Sequence, residues 1–275
     1  MGEKEIKGHR ERVTEATRQV LMEVFKILED FHESLILVGG WVPIMIIPES
    51  EDKHVGTIDV DLVINDKSLN ETGSETIEDI LLANEYQHGA EPGRYFKNLN
   101  IDRVPIVVPV DFLTSEQRFI PKNEFFDITG IHAITSPGAE LSFEVNEKIT
   151  LDGNLPDGSH YSTVIKSAGI VALIVMKAHA MDIRKKSKDA YDIWFCLANY
   201  PGDRESIAEA FRPHVGQKSV RTALSLLAKF FSAVDERGPL DVVNEDDSRE
   251  TDYRAFLQQD AYQRVQALLD SLGLD

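Results

Sequence analysis

Apolar residues recur at helical spacing over residues 9–31, where Val13, Val20, Val24, Phe25 and Leu28 fall on one side of a helix. The pattern then changes. Leu35-Ile36-Leu37-Val38 is an unbroken apolar run of buried-strand type. It ends at Gly39-Gly40, and a helical stretch follows that tolerates Pro43 in its first turn. Strands are predicted at 45–47 and at 57–64, the latter alternating apolar and polar positions. Ser74 is placed as the N-cap of a helix running to about residue 86, with Glu75 and Glu78 in its first turn. Further strands are expected at 95–99, 104–113 and 141–145, with turns at Ser136-Pro137-Gly138 and Asp152-Gly153. From Ile170 the period is helical. One helix is predicted over 170–197, burying a face of Val171, Ile174, Val175 and Ala178 and stopping before Pro201-Gly202. Helices over 205–211, 220–234 and 253–272 complete the reading. The change from strands to helices near 160–168 divides the chain into an α+β domain, residues 1–165, and a helical domain, residues 166–275.

Composition narrows the class. A chain of 275 residues can bury a core and hold two domains. Its 29 basic and 47 acidic residues leave a formal charge of −18, which disfavours nonspecific nucleic-acid binding through a global basic field. Residues 184–188 still supply a local basic rim for RNA. Acidity is greatest over 235–252, where a solvated loop is expected. No apolar stretch of about 18 residues occurs, so no membrane span is expected. The charged start, Met1-Gly2-Glu3-Lys4, reads as the approach to a helix rather than a signal peptide. A single cysteine, Cys196, rules out an internal disulfide and fits a reducing cytoplasm.

The candidate chemistry lies in three places. In 57–64 the alternation puts Asp59 and Asp61 on one face, with Ile58, Val60 and Leu62 turned to the core. Two like charges so close call for water or a counter-cation, and Mg²⁺ accepts hard oxygen ligands while keeping positions for phosphate oxygens. Solvated acids on a half-exposed strand are the plainer alternative. Gly39-Gly40 permits φ > 0 and close backbone approach, and N–H groups at a turn into a helix can bind phosphate. Asp111 stands in the apolar run 107–113, where burial requires a partner or a metal unless the residue caps the turn at Thr114-Ser115. Further on, Lys177 and Arg184 lie two helical turns apart on one face, suited to a triphosphate. Asp189 and Asp192, at i and i+3, can pair with Arg184 or Lys188. A solvated helix laced with surface ion pairs is the alternative.

Taken together, the run 35–38 with Gly39-Gly40, then Asp59-Val60-Asp61, then Asp111, resembles the DNA polymerase β-type nucleotidyltransferase superfamily. The downstream Lys177, Arg184 and Lys188-Asp189-Ala190-Tyr191-Asp192 resembles, within it, the AbiEii-type abortive-infection nucleotidyltransferases. The resemblance implies a polymerase β-like domain, a mixed sheet flanked by helices, followed by a helical bundle. It implies transfer of a nucleoside monophosphate from an NTP to a hydroxyl of RNA, such as a tRNA 3′ end, or of protein. Two Mg²⁺ ions would be held by Asp59, Asp61 and Asp111. Catalytic roles fall to these three with Lys177 and Asp189, and nucleotide contacts to Gly39, Gly40, Thr57, Lys177, Arg184 and Asp192. The group includes toxins, so a cognate antitoxin is an implied partner. Two departures leave the nucleotide preference open: Val55 stands where many relatives have Arg, and the Gly40–Asp59 interval carries an acidic insert, 48–52. Trp41 after the glycines is similar to aminoglycoside nucleotidyltransferases and keeps a small-molecule acceptor as an alternative. A nucleotide-binding module without turnover is the other.

Overall fold

The computed structural model describes residues 3–50, 54–69, 75–116, 119–202, 204–246, 248 and 250–274, with side chains from residue 10 and without that of residue 204. The chain divides into two units, Met1–Val42 with Gly56–Ala168, and Pro43–Val55 with Gly169–Asp275.

The first unit is a mixed sheet flanked by helices. Among the described residues its strands are β1 (Leu35–Val38), β2 (Val60–Ile64), β3 (Gln87–His88), β4 (Arg94–Ile101), β5 (Val104–Thr114), β6 (Ile134–Thr135), β7 (Asn146–Asn154) and β8 (His160–Ala168). Their order across the sheet is β3-β4-β5-β2-β1-β8-β7, with β6 on β5. β1 and β2 are antiparallel, while β2 with β5 and β1 with β8 are parallel. Helix α1 (Glu3–Ile27) packs on the sheet through Val20, Leu21, Val24 and Phe25, with Leu28 just past its end, all fully buried. The expected helical stripe is thus real, and a 3₁₀ turn, Glu29–Ser34, leads from it into β1. One buried polar group secures the packing. Lys97 on β4 donates to the Asn84 carbonyl (2.7 Å) and pairs with Glu23 of α1 (3.2 Å), which also accepts from the Tyr86 hydroxyl (2.8 Å).

After β1 the chain enters the short helix α2 (Trp41–Ile46), so residues 45–47 form no strand. Helix α3 (Ile77–Ala83) starts at Thr76, whose hydroxyl accepts from the Asp79 N–H while Asp79 accepts from the Thr76 N–H. Ser74, the expected cap, lies outside the described residues. α4 (Lys122–Thr129) and α5 (Leu141–Glu144) follow. The strand expected at 141–145 is therefore one turn of helix, and β7 begins just after it at Asn146. Asp152-Gly153, expected as a turn, lies inside the β7–β8 ladder, paired with Ser162 and Tyr161. These errors share a cause. Residues 146–154 and 160–168 are polar and exposed over much of their length, so strand pairing, and not an apolar stripe, makes them strands.

The second unit contains α6 (Ile170–Ile183), α7 (Ser187–Asn199), α8 (Arg204–Phe211), α9 (Lys218–Phe230), α10 (Arg237–Glu245) and α11 (Thr251–Ser271). Three expectations change here. The single helix over 170–197 is two helices, broken at 184–186, where Arg184 is extended (φ −132°, ψ 159°). Arg237 of α10 donates to the Met181 and Arg184 carbonyls and so satisfies the end of α6. α6 is also buried on every side of its first two turns, Ile170 to Val175, rather than on one face. The acidic stretch 235–252 is α10 for half its length, with Val242 and Val243 buried. Among the described residues no helix is long and apolar enough to cross a membrane.

Candidate active site

The site of the first unit follows from strand register. Val38 of β1 lies opposite Asp61 of β2, Asp61 opposite Asp111 of β5, and Asp111 opposite Arg94 of β4. Residues directly opposite in a ladder project to the same face. Asp61 and Asp111 therefore stand side by side on neighbouring strands, on the face opposite Val60, Leu62, Val110 and Phe112, which are fully buried. Asp111 lies in mid-strand, 5% exposed, and does not cap the turn at Thr114-Ser115.

Gly39 forms the corner. Its φ is +75°, a region that disfavours side chains, and a Cβ placed there would lie 2.0 Å from Asp61 Oδ2. Both backbone and space thus require glycine, because the turn passes directly over the carboxylate. Gly40 is buried beside it and has no positive φ. Asp59 precedes the strand instead of lying within it. β1 turns away at Gly39, so the β1–β2 ladder ends at Asp61 and β2 begins at Val60. Ile58, expected in the core, is consequently 63% exposed. Thr57 is buried and its hydroxyl donates to Asp59 Oδ1 (2.8 Å), which orients that carboxylate.

Asp111 already has a cation. Arg94 Nε donates to its Oδ1 and Arg94 Nη2 to its Oδ2, both at 2.7 Å. Asp111's hydrogen bonds outweigh partial burial and raise the Arg94 pKa, so the guanidinium is permanently charged. Nothing in the spacing of the sequence singled out Arg94, whose partner lies across the β4–β5 hairpin.

The downstream residues come together within the second unit. Lys177 of α6 is 7% exposed and reaches Asp189 Oδ1 (3.1 Å) and Asp192 Oδ2 (2.7 Å) of α7. Arg184, past the end of α6, donates through Nε to Asp189 Oδ2 and through Nη2 to Asp189 Oδ1, both at 2.8 Å. Lys188 donates to Asp192 Oδ1 (2.7 Å). Asp189 and Asp192 are 1% and 0% exposed, so this is no solvated helix with surface ion pairs. Arg184 and Lys177 meet at Asp189 because the chain breaks between α6 and α7, not because they share a helical face. Burial works against the charges on Lys177, Asp189 and Asp192, yet pairing prevails. The Lys177 pKa is raised by Asp192 and Asp189, and both carboxylates lie below their ordinary values.

His54 belongs to this group, and the sequence reading passed over it. Its Nε2 lies 2.9 Å from Asp192 Oδ1, and its ring stands edge-on to Phe195 and Tyr191 at 4.9 and 5.7 Å. A partner 138 residues away leaves no local signal. Burial lowers the His54 pKa below 6.5 despite the hydrogen bond to Asp192. A proton is therefore bound more readily by the unfolded chain, so this contribution to stability is complete above pH 6.5 and is lost as the pH falls. His54→Gln should flatten the fall in unfolding free energy between about pH 7 and pH 5, measured by urea titration. An unchanged slope would assign that limb to other groups.

Among the described residues no cluster of three or more His, Cys, Asp or Glu side chains forms a metal cage. Mg²⁺ is commonly held by one or two carboxylates together with substrate phosphates, without such a cage. The donor set of Asp59 and Asp61, hard carboxylate oxygens beside a glycine corner that puts no side chain on Asp61 Oδ2, fits an ion of that kind.

A mixed sheet flanked by helices, with carboxylates in register beside a left-handed glycine, fits a nucleotidyltransferase fold. The chain belongs to the nucleotidyl transferase AbiEii toxin family of type IV toxin–antitoxin systems, whose family model matches residues 26–271. It is accordingly an enzyme that transfers nucleotidyl groups. No curated protein matches the chain.

Proposed function

We propose that this protein moves a nucleoside monophosphate from an NTP to a hydroxyl of RNA, such as a tRNA 3′ end, or of a protein, in the cytoplasm, as the toxin of a pair with a cognate antitoxin. The observation that carries the reading is the register of Asp61 with Asp111 beside Gly39. Asp59 and Asp61 would hold Mg²⁺, with Asp111 as a third ligand for a pair of such ions. Bound there, the metal supplies charge neutralisation and makes the acceptor hydroxyl more acidic. The chain's own residues do the rest. Thr57 orients Asp59, and Gly39-Gly40 offers backbone to the phosphates. In the reaction the acceptor oxygen bonds to the α-phosphorus, the bond to the leaving pyrophosphate breaks, and the hydroxyl proton departs to solvent.

We read the helices after Gly169 as a helical bundle domain, residues 166–275, following a catalytic domain, residues 1–165. The buried pairing of Lys177, Asp189 and Asp192 supports an ordering task for them, with Arg184 the most exposed cation of the group and the best suited to phosphate. The test is incubation of the purified protein with total RNA and each α-labelled NTP in Mg²⁺. Label should enter RNA or the protein itself, with release of pyrophosphate. On induction in cells, wild type should arrest growth and the Asp59→Ala variant should not. Equal growth of the two would remove the toxin assignment, and label appearing on an aminoglycoside instead would favour the small-molecule alternative.

A further inference from the structure

Arg94 is held in place more firmly than a surface arginine needs to be. Its N–H donates to the Glu91 carbonyl (3.3 Å), and its carbonyl accepts from the Gly89 N–H (2.7 Å). Gly93, with φ +71°, accepts from the Phe112 N–H at 2.8 Å, and a Cβ there would lie 2.7 Å from the Phe112 carbonyl oxygen. A Cβ on Gly89 would come within 2.8 Å of Arg94 Cγ. The turn before β4 is therefore shaped around this one residue, which starts the strand directly opposite Asp111.

The charges explain the need. Asp61 and Asp111 are direct neighbours on strands about 4.8 Å apart, within a chain of net charge −18. Arg94 offsets that repulsion and takes both oxygens of Asp111. Its remaining terminal nitrogen, Nη1, lies 3.4 Å from exposed Glu91, a pairing that solvent weakens. The guanidinium is more exposed than the carboxylate it covers, so it can leave by the solvent side. A guanidinium fork binds phosphate as well as carboxylate and is weakly hydrated.

We propose that Arg94 is a positioning residue that keeps Asp111 in reserve, and that the polyphosphate of the substrate draws Arg94 away so that Asp111 becomes available to a divalent ion. The proposal rests on the nucleotidyl-transfer reading of the same carboxylates. It is a partner exchange with no covalent step: Asp111 trades a guanidinium for a metal ion, and Arg94 trades a carboxylate for phosphate. Metal and nucleotide binding are thereby coupled, and by linkage each strengthens the other equally.

The experiment is a titration of the full chain with Mn²⁺, an ion suited to carboxylate ligands. Free Mn²⁺ is read by electron paramagnetic resonance, with and without a non-hydrolysable NTP analogue. Without nucleotide, Arg94→Gln should bind Mn²⁺ about tenfold more tightly than wild type, a typical size for a coupling of this kind. The analogue should strengthen Mn²⁺ binding by wild type and have little effect on Arg94→Gln. Arg94→Gln combined with Asp111→Asn should bind no more tightly than Asp111→Asn alone, which ties the gain to Asp111. Arg94→Lys keeps the charge without the fork and should fall between wild type and Arg94→Gln, and it carries the test if the glutamine variant fails to fold. Equal or weaker Mn²⁺ binding by the folded variants, with coupling intact in wild type, would make Arg94 a fixed buttress and overturn the proposal alone. No Mn²⁺ binding by wild type even with the analogue would remove the nucleotidyl-transfer reading, and the proposal with it.

Discussion

Asp61→Ala is expected to lower nucleotidyl transfer about a thousandfold or more, the loss seen when an electrostatic contact to a developing charge is removed. The same substitution should leave the fold nearly untouched. Asp61 is only half-buried, and its neighbours Val60 and Leu62 supply the core side of the strand. Its removal also relieves repulsion against Asp111, directly opposite. The change in unfolding free energy should therefore stay within about 1 kcal/mol. Asp59→Ala should lower transfer in the same way, at a somewhat larger cost in stability because the buried Thr57 hydroxyl loses its acceptor. Label transfer and thermal unfolding, measured on one preparation, check both halves. If either variant keeps wild-type transfer, the metal assignment fails. If instead activity and melting temperature collapse together, the carboxylates are structural.

The second large effect is on stability. Asp192→Asn should cost about 3–5 kcal/mol, the penalty for stranding a buried charge. Asp192 has no exposure, and its two oxygens serve three cationic or imidazole nitrogens: Lys177 at 2.7 Å, Lys188 at 2.7 Å and His54 at 2.9 Å. An amide of the same shape has only one acceptor oxygen, so its NH₂ must face one of those donors. Lys177 would keep Asp189 alone as counter-ion, and that carboxylate is shared with Arg184. For a domain of this size the loss corresponds to roughly 10 °C or more in melting temperature.

The same network sets the acid limit of the fold. Burial alone would raise the pKa of Asp192 and Asp189, but Lys177 and Lys188 on the first, and Arg184 and Lys177 on the second, bring both below the usual 3.8. A depressed carboxylate contributes stability that is complete above its unfolded value and fades as the pH drops through its folded one. Wild type should therefore lose stability steeply below about pH 4, and Asp192→Asn should show a shallower acid limb from a lower plateau. Urea titrations over that range decide it. A loss under about 1 kcal/mol at neutral pH would mean that water reaches the pair.

The legibility of the site tracks the range of the forces involved. Asp61 and Gly39 lie where a period of two and a turn-forming dipeptide placed them, because both act over a few residues, whereas Asp59 falls outside the strand that the period assigned it to. Asp111 was legible as a problem, a charge within an apolar run, but not in its answer. Arg94 lies across a hairpin whose register only the folded sheet sets. His54 left no trace at all. It falls in the interval between Gly40 and Asp59, and what fixes it is a carboxylate in a helix far along the chain. The strands β7 and β8 were missed for a related reason: their exposed residues carry no apolar alternation, and hydrogen bonding to each other and to β1 makes them strands.

Local patterning by itself determined the central strands, the glycine corner and the helical character after Ile170. Those features follow from side-chain periodicity and backbone freedom, which neighbouring residues specify. Tertiary structure alone decided which charges neutralise which: Arg94 on Asp111, Lys177 between Asp189 and Asp192, Arg184 turned back at a helix break capped by Arg237. A buried charge takes the partner that packing brings to it, and packing joins residues whose separation in the chain carries no information about their distance.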